Sequence, residues 1–197
     1  MTAWPEGIDG LCYGGDYNPE QWPRDVWVED ARLMRQAGVN LVTVGVFSWA
    51  WLEPEEGRFE FGWLDEVLDL LHGHGVRVDL ATATAAPPPW FSRRHPESLP
   101  VNRAGQRLWP GSRQTFCPSS AAYRAGAVRL AESLAKRYAG HPALALWHVH
   151  NEYGCHNAHC WCDASAEAFR GWLRRRYGDW EEIGPPRLAP TFVNPTQ

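Results

Sequence analysis

Apolar and polar positions follow one rhythm along the chain, repeated four times: a short apolar run, a polar stretch, then a segment with apolar residues three or four apart. The first run is Leu11-Cys12-Tyr13-Gly14, and the helix after it carries the stripe Trp27, Ala31, Met34 and Ala37 up to Gly38. A second strand is expected over residues 39–46, rich in β-branched side chains, followed by a helix built on Leu64, Val67, Leu68 and Leu71 and stopped at Gly73. Residues 76–80 predict the third strand. A long connection with Pro87, Pro88, Pro89, Trp90 and His95 then leads to a helix on Tyr123, Ala127, Leu130 and Leu134. The fourth strand is expected over residues 143–149, and a last helix uses Ala166, Phe169, Trp172 and Leu173.

Strict strand–helix alternation predicts an α/β fold with right-handed crossovers, a parallel sheet and helices outside it. Two architectures satisfy that rule, an open doubly wound sheet and a (β/α) barrel. Tyr13-Gly14-Gly15-Asp16-Tyr17 leads to Asn18-Pro19 and not into a helix start, so the dinucleotide-binding loop of the open sheet is missing. The sequence therefore predicts a TIM-barrel type (β/α) fold. It holds about the first four βα units only, a partial barrel within one domain over residues 1–197. Catalytic groups of such barrels sit at the C-terminal ends of the strands. Those positions here hold Asp16-Tyr17-Asn18, Phe47-Ser48-Trp49, residues 82–84, and Asn151-Glu152-Tyr153.

Composition narrows the partners. With 44% hydrophobic and 21% charged residues the chain is globular, and a net charge of -4 gives no electrostatic reason to expect nucleic acid. The triplet Arg174-Arg175-Arg176 reads as a solvated helix end favoured by the dipole. The opening residues 1–6 lack the basic start and apolar core of a signal peptide, and the longest apolar run, residues 41–52, is too short to span a bilayer, so no membrane partner and a cytoplasmic location are expected. Five cysteines, an odd number, fit reduced thiols or metal ligands better than a disulfide framework. The 12 tryptophans suit either pyranose stacking or core packing, and composition leaves both open.

Glu152 follows an apolar strand, beside an amide and near tryptophans. Partial desolvation in such surroundings raises a carboxyl pKa toward general-acid work, although a strand-end glutamate also serves as a helix cap or an arginine partner. Glu53, Glu55 and Glu56 read as surface residues opening a loop.

Three motifs, in order, decide between these readings. Tyr13-Gly14-Gly15-Asp16-Tyr17-Asn18-Pro19-Glu20-Gln21-Trp22, then Phe47-Ser48-Trp49 with Leu52-Glu53-Pro54 and Gly57, then Asn151-Glu152-Tyr153-Gly154, resemble the N-terminal half of the catalytic barrel of glycoside hydrolase family 42, the β-galactosidases. The resemblance implies a retaining hydrolase of terminal β-D-galactosides, with Glu152 as acid/base. It assigns Asn151 to the sugar 2-hydroxyl, with Arg113 and Trp49 in the galactose pocket. It places the nucleophile after a later strand, which this chain does not reach, so the implied enzyme is incomplete. The alternative is an inactive barrel fragment that binds galactosides weakly or assembles with another chain, and a homo-oligomer is expected if copies complete the barrel. Cys117, Cys160 and Cys162 resemble the family's structural zinc cluster, with Cys155, His156 or His159 as candidates for a fourth ligand and three reduced thiols as the metal-free reading. Taken as the chain's main business, the same cysteines would make it a zinc-dependent interaction module. No organic cofactor is expected.

Overall fold

The structure is a computed structural model that describes residue 8 and residues 10–111, 114–155 and 158–178. It contains four parallel strands in sequential order, β1 (Asp16–Tyr17), β2 (Leu41–Val44), β3 (Arg77–Ala81) and β4 (Leu144–His148). The helices are α1 (Arg24–Ala37), α2 (Trp49–Leu52), α3 (Gly62–Gly73), α4 (Pro89–Arg94), α5 (Ala121–Tyr138) and α6 (Asp163–Tyr177). The chain divides into two compact units, residues 1–88 with 129–151, and residues 89–128 with 152–197.

The first unit holds the whole sheet. Leu64, Val67, Leu68 and Leu71 of α3 are all buried, as their three-and-four spacing requires. On α1 only Trp27 and Ala31 are buried, while Met34 and Ala37 of the expected stripe lie toward an open side. Gly38 ends α1 with φ 77°, a left-handed conformation that glycine adopts without steric cost. Within β2 and β3, Val42, Val44, Val78 and Leu80 are buried, and the residues between them are partly exposed, the two-residue alternation of a pleated sheet.

The first strand departs from expectation. Its ladder lies at Asp16–Tyr17, later than Leu11-Cys12-Tyr13-Gly14, and Leu11 is 79% exposed. The preceding residues still follow β2: the Tyr13 carbonyl accepts from Asn40 N–H at 2.9 Å, and the Gly15 carbonyl accepts from Thr43 N–H at 3.1 Å. Gly14 is required here, because a Cβ on it would stand 1.7 Å from the Leu41 carbonyl oxygen.

The second unit contains α4, a 3-10 turn at Pro96–Ser98, the start of α5, and α6. Phe116 and Tyr123 stack at 3.9 Å, and Cys117 N–H donates to the Ser98 carbonyl at 2.7 Å, which ties the segment before α5 to the 3-10 turn.

Candidate functional site

A polar lane crosses the sheet of the first unit. Thr43 and Asp79 are paired in register on β2 and β3, and their side chains meet, Thr43 Oγ1 donating to Asp79 Oδ2 at 3.3 Å. His148, at the end of β4, places Nδ1 3.7 Å from the same carboxylate oxygen. Its Nε2 lies 3.3 Å from Asn151 Oδ1. The lane thus runs across three strands and ends on the amide of Asn151. Burial pushes the Asp79 carboxyl above its usual range, an effect the neighbouring His148 and the Thr43 hydrogen bond oppose and the charge of Asp16 reinforces.

Glu152 follows at once but belongs to the second unit. It sits in a turn with φ 41°, its carbonyl accepting from Cys155 N–H at 2.9 Å. Non-glycine residues in the left-handed region cost about 1–3 kcal/mol each. Ala83 (φ 57°) and Glu152 are two such residues, and each lies just past the end of a strand. The Glu152 side chain is exposed, so the described residues do not supply the desolvation expected for a general acid.

Trp49, expected at the sugar pocket, is fully buried, and its indole N–H donates to Glu53 Oε2 at 2.8 Å. Those are the contacts of a core residue. Glu53 overturns its reading as a surface residue: it is 0% exposed, and its Oε1 accepts from Gly57 N–H at 2.7 Å and from Arg129 Nη2 at 2.8 Å. Three donor residues, one of them the Arg129 cation, offset the cost of taking that charge out of water. Arg113 lies outside the described residues, as does His156. A groove of about 690 Å³ runs along β1 and α1, lined by Asp16, Tyr17, Trp22, Asp30, Leu33 and Met34.

In the second unit Cys117, Cys160 and Cys162 come together with their sulfurs within 4.8 Å of one another. Cys162 caps the start of α6, its Sγ accepting from Ser165 N–H at 3.4 Å. Val101 N–H donates to Cys160 Sγ at 3.4 Å. The Cys117 thiol, hydrogen-bonded to Cys160, holds that neighbour's pKa well below the ordinary thiol value, and Cys117 keeps its own proton. Among the described residues, Cys155 and His159 do not join this group.

A family model for β-galactosidases, glycoside hydrolase family 42, matches residues 16–197. A β-galactosidase of Arthrobacter sp is 54% identical over the whole of this chain and 31% of its own length. One from Geobacillus kaustophilus is 49% identical over 96% of this chain and 31% of its own length. The crystal structure of a β-galactosidase from Bacillus circulans sp. alkalophilus superposes with a TM-score of 0.86 at 41% identity, covering 91% of this chain and 26% of that one. The chain therefore spans about a third of the length of the curated relatives it matches. By the family model, the sequence identity of its relatives and its parallel sheet, it belongs to glycoside hydrolase family 42, the β-galactosidases, as the N-terminal part of their TIM-type (β/α) barrel.

Proposed function

We propose that this chain is the front of a retaining β-galactosidase and that Glu152 is its acid/base. The Glu152 carboxyl protonates the glycosidic oxygen while a second carboxylate attacks the anomeric carbon. Glu152, now ionised, then takes a proton from the water that releases galactose. The second carboxylate must stand about 5–5.5 Å away and is assigned to the part of the barrel beyond this chain's span. The same later strands would cover Glu152 and shield the reacting bond from bulk water. Asn151 is assigned to the sugar 2-hydroxyl and Arg113 to the galactose pocket, with a β-galactoside as substrate. The observation that carries this reading is the turn after β4, where Asn151 is tied through His148 to Asp79 and Glu152 is held in a strained conformation.

The three gathered thiols suit zinc, which binds soft sulfur donors in closed structural sites. Zinc there would cross-link the segment before α5 to the start of α6 and take no part in the reaction.

The test is a chimera in which residues 1–197 replace the matching third of the Arthrobacter relative. It should hydrolyse a nitrophenyl β-galactoside, and Glu152→Gln should lower kcat by about 10²–10⁴. A chimera as active with glutamine as with glutamate would remove Glu152 from the chemistry.

A further inference from the structure

Ser165 is buried to 2% exposure at the third position of α6, one turn past Cys162. Its Oγ lies 3.1 Å from Cys117 Sγ and 3.6 Å from Cys162 Sγ, and those two sulfurs are 3.5 Å apart. One hydroxyl therefore touches two of the thiols, and the third, Cys160, has its sulfur within 4.8 Å of both. Tetrahedral zinc–thiolate bonds of about 2.3 Å set neighbouring donor atoms about 3.8 Å apart, close to these separations. The arrangement follows from local geometry: the capping bond from Ser165 N–H to Cys162 Sγ turns the serine side chain onto the same side as the sulfur. A groove of about 490 Å³ lined by Val101, Arg107, Ser120, Trp161 and Cys162 reaches the cluster from solvent and offers an ion a way in.

We infer that Ser165 Oγ holds the fourth corner of the site formed by Cys117, Cys160 and Cys162, so that this chain takes a divalent thiophilic cation with three thiolates and one oxygen. The inference rests on the metal reading above and goes further in naming the fourth donor. A neutral hydroxyl is a weaker donor than a thiolate and brings no charge, so the ion is held less tightly and exchanges more readily than in a four-thiolate cage. Neither Cys155 nor His159 is needed to close the site.

The test uses the reduced, metal-stripped full chain titrated with Co(II) and then Zn(II), read by absorption. Wild type should show tetrahedral Co(II) bands with the sulfur-to-metal intensity of three thiolates. Ser165→Cys should raise that intensity by about a third and tighten Zn(II) binding at least tenfold, roughly the scale of donor-shell changes. Ser165→Ala should weaken Zn(II) binding roughly tenfold, with Cys155→Ser and His159→Ala unchanged. Four-thiolate intensity in wild type, no gain in Ser165→Cys, or undiminished binding by Ser165→Ala would each overturn the role of Ser165 and leave a metal site standing. Failure of both wild type and Ser165→Cys to bind either ion, with thiols reduced and far-UV circular dichroism intact, would remove the metal reading and this inference together.

Discussion

Glu53 shows how a single residue's meaning depends on what folds over it. Three acidic residues within four positions, Glu53, Glu55 and Glu56, look alike in sequence, yet Glu53 alone is fully buried. Its carboxylate joins Trp49, Gly57 and Arg129, and the arginine arrives from 76 residues further along the chain. Removing one partner of such a pair leaves an uncompensated charge or cavity. Glu53→Ala should therefore cost about 3 kcal/mol, near the lower end of the range for broken buried pairs because Arg129 remains partly exposed. Urea unfolding would measure it, and a loss below about 0.5 kcal/mol, the level of ordinary surface changes, would refute the assigned role. The polar lane teaches the same lesson. Thr43, Asp79 and His148 each resemble an ordinary strand residue, and only the register of β2, β3 and β4 turns them into a support for Asn151.

At the scale of elements, periodicity was a good guide wherever one face of an element is buried by neighbours close in the chain. The α3 stripe is buried at all four expected positions, β2 and β4 lie inside their apolar runs, and β3 overlaps its own. The pattern failed where burial depends on partners beyond the element. The stripe of α6, Ala166, Phe169, Trp172 and Leu173, is only half-buried, and the fully buried residue of that helix is Ser165, which no hydrophobic pattern marks. The first strand fell later than its apolar run because its pairing with β2 is decided by close backbone approach, not by side-chain hydrophobicity. Gly14→Ala tests this directly: a methyl group 1.7 Å from the Leu41 carbonyl oxygen must push the segment off β2. We expect a loss of at least about 3 kcal/mol, on the scale of the severe packing and strain effects. Amide exchange should show the loss concentrated in the Tyr13–β2 hydrogen bonds. Unchanged protection at Asn40 and Thr43 would show that the close approach is not needed.

For the molecule as a whole, the outer strands govern behaviour. The sheet order puts β1 and β4 at its two edges, each with one hydrogen-bonded neighbour among the described strands. The groove along β1 and α1 exposes Trp22 to 57%, and Leu146 on β4 is 41% exposed. Parallel strands with open edges and apolar flanks favour association. The 197-residue chain expressed by itself should therefore self-associate with rising concentration and bind a hydrophobic dye, whereas the chimera should do neither. Light scattering decides it, and a monodisperse monomer without dye binding at high concentration would show that the edges are protected.

The sequence by itself determined the alternation of strand and helix, the parallel sheet, the family, and the position of Asn151-Glu152 at a strand end. Each of those rests on residue spacing or on contiguous motifs, which are local properties of a chain. Only the tertiary structure decided that Glu53 is a buried anion, that Trp49 is core, that a three-strand lane supports Asn151, and that Ser165 lies against the sulfurs of Cys117 and Cys162. Those facts depend on groups brought together across 36 to 76 residues, Thr43 to Asp79, Cys117 to Ser165 and Glu53 to Arg129, and no local pattern encodes such meetings.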